Sequence, residues 1–430
     1  MQHYIQDIAN FVDKEVTIKG WVQNIRSSGS IAFVEVRDGS GFVQAIVSKN
    51  NVNEVVWDSV QKLTQESALE LLGTVSTHPK KIGEFEIQVS SMTVVHFAKE
   101  YPIAKKEHGP DFLLDNRHLW LRSKKQWAVQ RIRDVIIGAI YTFFRDKGFV
   151  KIDTPIFTPN ACEGATELFS LDYFDQGSVY LTQSGQLYLE AAIMSVGRAF
   201  DFGPVFRAEK SKTRKHLTEF WMMDAEMAFV EHEQNMDVQE EMVQSIVATC
   251  LKNCSSELGL LGRDIAPLQA VSEPFVRLTY HEAVEKLQKL GSTIRLGDDL
   301  GAEDEELLTK DSRVPVFIHK WPKAIKPFYM KQDPENPELV LNNDLIGIEG
   351  AGELIGGSQR EDDYDTLFAE IRKDGLEGPE YDWYLDLRKY GSVPHSGFGL
   401  GLERLVRWIA GAQHIRETIP FPRMINRVKP

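Results

Sequence analysis

Residues 206–220 read Phe-Arg-Ala-Glu-Lys-Ser-Lys-Thr-Arg-Lys-His-Leu-Thr-Glu-Phe, and Arg207, Lys210, Lys212, Arg214 and Lys215 make five basic side chains in fifteen positions. A strongly anionic group belongs against such a run. Phe206 before it and Phe220-Trp221 after it offer faces on which a base could stack. Judged alone, a basic run is more often a solvated hairpin or loop. A second segment, His395 to Leu405, sets Gly397, Gly399 and Gly401 at alternate positions ahead of Arg404. Alternate glycines let a backbone lie close to a ligand, and a cation at a helix start adds to the dipole's pull on phosphate. It is not a dinucleotide fingerprint, because the third glycine comes one residue early. Tight strand-to-helix packing is the equal alternative. A third segment, Asp344 to Arg360, places Glu349 and Glu353 in a glycine-rich, otherwise apolar stretch. Carboxylates there need a cation, and Mg²⁺ carried by a nucleoside triphosphate is the natural one; an ordinary acidic loop is the alternative. Arginines for phosphates, an aromatic for a base and carboxylates for a metal make up the inventory of nucleotidyl transfer.

The elements that must position these groups fall into two regions. From Glu15 to about Val95 the chain alternates in five short runs, Val16–Val22, Ile31–Val36, Gly41–Val47, Ala68–Val75 and Glu84–Val95, with Asp38-Gly39-Ser40-Gly41 as a hairpin signal. This predicts a small β-barrel. Residues 98–115 read as a linker. Beyond it, Ser123–Lys147 predicts a long amphipathic helix ended by Gly148, and Pro155 confines the run after Phe149 to a sheet edge or break. Helices are expected over 183–200 and 235–260, and strands over 219–229, 314–318, 328–330 and 340–345. Without regular βαβ alternation, the fold class is α+β on a mostly antiparallel sheet flanked by helices.

The 430 residues carry 63 acidic and 49 basic side chains, a net charge of −14 that argues against a nonspecific nucleic-acid coat but not against local basic patches. The amino terminus has neither a basic start nor an apolar run, and no stretch of about 18 apolar residues occurs, so no membrane span and a cytoplasmic protein are expected. Cys162, Cys250 and Cys254 read as buried thiols rather than ligands or a disulfide.

Phe206-Arg207-Ala208-Glu209 through Phe220 resembles motif 2 of the class II aminoacyl-tRNA synthetases, Gly399-Leu-Gly-Leu-Glu-Arg404 resembles motif 3, and Lys151-Ile-Asp-Thr-Pro155 with its preceding helix resembles motif 1. The barrel is similar to the anticodon-binding OB-fold of the aspartyl, asparaginyl and lysyl subgroup. The resemblance covers essentially the whole chain. It implies an OB-fold domain over 1–97, a linker over 98–115 and a class II catalytic domain over 116–430. It also implies ATP and Mg²⁺ as cofactors, tRNA as partner and a homodimer built on motif 1.

By the same resemblance Arg207 holds the α-phosphate and an amino-acid carboxylate oxygen, Phe220 and Arg404 sandwich adenine, and Glu209 contacts its side. Arg214 or His216 reaches the γ-phosphate, and Asp344 with Glu353 binds Mg²⁺. Ser184 and Gln186 approach the α-ammonium group. Aspartyl enzymes carry a lysine where Leu189 stands, to pair with the substrate carboxylate; Leu189 cannot, which leaves Arg360 to meet the side chain. Asparagine is then the favoured substrate and tRNA(Asn) the acceptor, in keeping with wording close to the asparaginyl enzymes. Asp224 departs from this, standing where they usually carry glutamate. In the barrel, Phe33 would stack on the middle anticodon base, Gln44 hydrogen-bond it, and Arg26 and Lys19 add backbone contacts. For Phe33 alone a core role is the equal alternative. Three other readings stay open: a synthetase of aspartyl or relaxed Asn/Asp choice, an adenylate-forming relative with another acceptor, and a catalytically silent RNA-binding protein.

The implied chemistry needs no protein nucleophile or base, only alignment and charge neutralisation. Arg207→Ala is therefore expected to slow ATP–pyrophosphate exchange by roughly 10²–10³-fold, about 3–4 kcal/mol of barrier; near-normal exchange would refute the assignment.

Overall fold

The computed structural model describes residues 2–430 except 105, 163–166, 211–215 and 377. The chain divides into two compact units, Met1–Gly109 and Pro110–Pro430.

In the first unit, β1 (Glu15–Ser28), β2 (Ile31–Arg37), β3 (Phe42–Ser48), β4 (Ala68–Thr77) and β5 (Phe85–His96) close a barrel in the order β1-β2-β3-β5-β4. Helix α1 (Glu54–Gln61) adds Val56, Trp57 and Val60 to its core. The expected turns take left-handed glycines, Gly29 at φ 61° and Gly39 at φ 93°. Alternation decides the faces: Ala32, Val34 and Val36 fill the barrel, whereas Phe33 and Glu35 point away from it. Phe33 is therefore not a core aromatic. On the face that points away from the barrel core, Arg37 makes a two-pronged pair with Glu66, both contacts at 2.6 Å and both side chains under a tenth exposed.

In the second unit, α2 (Lys124–Asp146) starts at Ser123, whose hydroxyl caps the Gln126 N–H, and lays Ile132, Ile136, Ile140 and Phe143 against a nine-stranded sheet. The strands are β6 (Val150–Lys151), β7 (Arg198–Phe200), β8 (Gly203–Phe206), β9 (Glu219–Ala228), β10 (Val276–Thr279), β11 (Val316–His319), β12 (Asn342–Gly347), β13 (Gly352–Gln359) and β14 (His395–Gly401). They run in the order β10-β11-β12-β13-β14-β9-β7-β6, with β8 paired to β9. All pairs are antiparallel but β10–β11 and β7–β6. Helices α3 (Gln186–Val196), α4 (His232–Asn253), α5 (Asp382–Lys389) and α6 (Leu402–Ala410) complete the frame.

Several expectations are corrected. The helix expected over 183–200 spans only Gln186–Val196, because Gly197 at φ 78° ends it and 198–200 joins the sheet. The 235–260 helix begins earlier, at a Glu231–Gln234 capping box, and breaks at Cys254. Residues 328–329 form a turn and Met330 makes only an isolated bridge to Arg360; Phe328 and Tyr329 pack with Tyr381 and Tyr384 instead. The glycine segment at 397–401 is a central strand. All three cysteines are buried and none forms a disulfide.

The Arg37–Glu66 pair yields a stability prediction. Glu66→Ala leaves a buried guanidinium unpaired and should cost the barrel about 3–5 kcal/mol in urea unfolding; a loss below about 1 kcal/mol would show that the pair is dispensable.

Candidate active site and nucleic-acid face

Period-two alternation builds the site. On β9, Met223, Ala225 and Met227 face the core, while Phe220, Met222 and Asp224 turn to the opposite side and line a cavity of about 510 Å³. Strand β14 runs beside it with Asp224 opposite Gly399 and Glu226 opposite Gly397. A Cβ at Gly397 would lie 2.0 Å from Glu226 Oε1, and one at Gly399 would lie 2.5 Å from Asp224 Oδ1. The alternate glycines thus make room for two carboxylates, a packing reason that the spacing alone did not reveal.

Glu226 is buried and grips Arg360. Arg360 Nε donates to Glu226 Oε1 and Oε2 at 3.1 and 3.2 Å, its Nη2 donates to Oε1, and its Nη1 donates to Ser358 Oγ at 2.7 Å. Burial pushes the Glu226 carboxyl up while the fork pulls it down; the two-pronged geometry favours the ionised pair. Arg360 lines the cavity, with its guanidinium 5.3 Å from the Tyr329 ring centre.

The turn before α3 is tied to β9. Asp224 Oδ2 accepts from Ser184 Oγ at 2.8 Å and from Gly185 N at 2.9 Å, and Ser184 Oγ accepts from Gln186 N at 3.1 Å. Asp201 lies beside Asp224, and burial with that neighbouring charge pushes it up to about 7. Gln186 Nε2 reaches Glu190 Oε1 at 3.1 Å, one helical turn on. Although burial acts to raise it, Glu190 stays below the usual carboxylate range through Arg388 at 2.7 Å and His395 at 3.0 Å, and Tyr384 also donates to it. Leu189 does not join the cavity. It is fully buried with Ile193 and Ala199, whereas Gln186 one turn earlier lines the cavity.

At the cavity's other end, Arg207, Glu209, His216, Phe220, Glu353 and Arg404 come together. Arg207 Nη2 is 3.5 Å from Gln183 O, and Arg404 Nη1 donates to Glu353 O at 2.6 Å. Arg214 lies outside the described residues. The Asp344 and Glu353 carboxylates flank one point: a Cβ at Gly356 would stand 3.9 Å from Asp344 Oδ1 and 3.0 Å from Glu353 Oε1. Lys326, absent from the sequence reading, pairs with Asp344 Oδ2 at 2.8 Å and sits 3.9 Å over the Trp321 ring. Burial and Glu353 push Asp344 up to about 6 against that lysine's pull. Two converging carboxylates with hard oxygen donors fit Mg²⁺.

On the barrel, Arg26 and Phe33 face each other across β1 and β2, the guanidinium 4.8 Å from the ring centre. Arg26 Nη2 donates to Gln44 Oε1 at 3.1 Å, and Gln44 Nε2 donates to Glu86 at 2.6 Å. An aromatic face beside a cation and an amide is a stacking platform for an unpaired base. Lys19 instead pairs with Glu70 at 2.9 Å.

Glu226, Glu190, Lys326 and Asp201 escaped sequence reasoning. None is marked by its local sequence, and only the tertiary fold brings each to its partner. Among the described residues, no helix is long and apolar enough to cross a membrane.

Comparison with known proteins bears on this geometry. Residues 16–95 match the OB-fold nucleic acid binding domain, and residues 109–425 match the tRNA synthetases class II (D, K and N). The solved asparaginyl-tRNA synthetase from Pyrococcus horikoshii complexed with asparaginyl-adenylate is 42% identical, covering 100% of both chains with a TM-score of 0.96. The Entamoeba histolytica asparaginyl-tRNA synthetase in complex with asparaginyl-adenylate is 32% identical, covering 100% of both chains at 0.90. The aspartyl tRNA synthetase from Entamoeba histolytica is 30% identical over 100% of this chain and 93% of that one, at 0.84. A catalytic-unit match over most of the chain, an OB-fold match over the barrel and full-length likeness to solved synthetases lead to one conclusion: the chain belongs to the class II tRNA synthetases of the D, K and N group.

Proposed function

We propose that the protein activates L-asparagine with ATP as asparaginyl-adenylate and transfers the asparaginyl group to the 3′-terminal ribose of tRNA(Asn). The observation that carries the choice of amino acid is the Arg360–Glu226 pair. Arg360 has five N–H donors, and Glu226 and Ser358 engage its Nε, Nη2 and Nη1. The N–H groups left over can donate to a side-chain amide oxygen. The guanidinium charge, however, is already balanced by Glu226. An aspartate side chain would bring a second carboxylate to a neutral pair beside Asp224, whereas asparagine brings none and its amide NH₂ finds acceptors there. Charge arithmetic thus supports asparagine even though Leu189 plays no part.

In the activation step an amino-acid carboxylate oxygen attacks the α-phosphorus, and the bond to the pyrophosphate oxygen breaks. Arg207 holds the α-phosphate and the attacking carboxylate, Phe220 and Arg404 clamp adenine, and Glu209 meets its edge. Arg214 or His216 serves the γ-phosphate. Ser184, Gln186 and Asp224 position the α-ammonium group. Asp344 and Glu353 would hold Mg²⁺, which when bound neutralises phosphate charge. Lys326 keeps that corner near neutrality. In the transfer step a ribose hydroxyl attacks the acyl carbon and AMP departs with the phosphate oxygen. Phe33, Gln44 and Arg26 read the anticodon by stacking and hydrogen bonding. The chain works in the cytoplasm as a homodimer across the β6 edge, a reading supported by exposed Val150, Ile156 and Phe157 beside that strand.

Three outcomes are expected. ATP–pyrophosphate exchange surveyed over all twenty amino acids should respond to asparagine, and purified tRNA(Asn) rather than tRNA(Asp) should be charged. Exchange with aspartate alone would overturn the substrate, and exchange without charging would overturn the acceptor. Because Asp344 is raised to about 6, it protonates as pH falls through that value; the Mg²⁺ concentration for half-maximal exchange should rise there and stay flat above about pH 7. Sedimentation equilibrium should return twice the 48.9 kDa chain mass; a monomer would contradict the dimer.

A further inference from the structure

We propose that His232, Glu233 and His319 form a binding site for a transition-metal dication of the zinc class, joining the first turn of α4 to the end of β11. One ligand atom from each of the three lies within 4.8 Å of the others. His232 Nε2 and His319 Nδ1 are 3.4 Å apart. That is long for a hydrogen bond between nitrogens, which favours about 2.9 Å. It is the spacing that two imidazole nitrogens take as neighbouring corners of a tetrahedron with bonds of about 2.0–2.1 Å to one ion. Two histidines and a glutamate are also a known ligand set for zinc with one position left open.

The frame is fixed. His232 and Glu233 follow the Glu231 capping box directly, the His232 N–H donates to Gln359 Oε1 at 3.2 Å, and His319 ends a strand held on both sides by β10 and β12. Ligation requires neutral imidazoles. Burial and nearby charge hold His232 down to about 3 and push His319 below its ordinary value, so both are neutral at pH 7.

Surrounding charge also permits a cation. Arg277 and Lys320 face the cluster, but Arg277 bonds Asp237 at 2.7 Å and Glu240 at 3.2 Å, and Lys320 bonds Asp333 at 2.8 Å. Glu233 is only 3.4 Å from Arg277 and is free to turn while Arg277 keeps its other partners. Glu282 adds another carboxylate near His319. The α4 dipole opposes a cation at this end, an effect worth less than about tenfold at a surface. The His232 side chain is buried, whereas Glu233 is exposed and His319 partly so, which gives the ion an entry path. None of the three lines the ATP cavity.

The full-length protein, stripped with a chelator and titrated with Co²⁺ under excess Mg²⁺, should bind one equivalent with the visible absorption of a tetrahedral site. Zn²⁺ should displace it and raise the thermal midpoint. His319→Ala should abolish both signals while leaving Mg²⁺-supported ATP–pyrophosphate exchange, measured without the transition metal, intact, and Glu233→Gln should weaken binding at least about tenfold. Should His232→Gln fail to fold, the partly exposed His319 still provides the test. Absence of stoichiometric binding by the wild type, or undiminished absorption in His319→Ala, would overturn the proposal.

Discussion

The structure turns on one buried ion pair, Arg360 just past the end of β13 with Glu226 on β9, which meet across the intervening β14 at 3% and 1% side-chain exposure. A lone charge at such a site would be prohibitive, and a pair is tolerated only with good geometry and its remaining donors satisfied. The two-pronged contact and the Ser358 hydroxyl supply both. Gly397 supplies the space, since any larger residue would collide with the Glu226 carboxylate. Replacing either partner alone would leave the other charged and unpaired, so the guanidinium that lines the cavity is held in place and already neutralised.

From that constraint the division of labour follows. At one end of the cavity, arginines, Phe220 and the Asp344–Lys326 corner provide charge and a stacking face for a nucleotide. At the other, the turn 184–186 hangs from Asp224, and Arg360 rests on Glu226. Behind this end lies a fully buried network in which Glu190 binds Arg388, His395 and Tyr384. In the proposed function, activation and selection therefore sit on the same sheet face but depend on different residues, and Asp224 belongs to the wall as much as to the pocket.

The barrel and the segments carrying the site were legible because both obey local rules. Strict alternation marked the five barrel strands, and the basic run, the glycine run and the paired carboxylates stood out as unusual local chemistry. What stayed hidden depends on register. Glu226 and Arg360 are 134 residues apart, and nothing in either local sequence marks the partner. The glycines at 397–401 read as a ligand cradle, yet their neighbours across the strand show that they also accommodate carboxylates. Leu189 looked informative because its position can carry a charge, but helical periodicity directs it into a small apolar cluster. The helix over 183–200 was read too long because apolar periodicity continues through Phe200, and only Gly197 marks the point where the chain enters the sheet.

The most direct test of the account is the ratio of asparagine to aspartate activity in Glu226→Gln, measured by ATP–pyrophosphate exchange alongside thermal unfolding. Removing the Glu226 charge leaves Arg360 positive and should improve aspartate relative to asparagine by roughly 10–100-fold, about 1.4 kcal/mol per decade. An unchanged ratio in a folded variant would show that the neutral pair does not set the choice of amino acid.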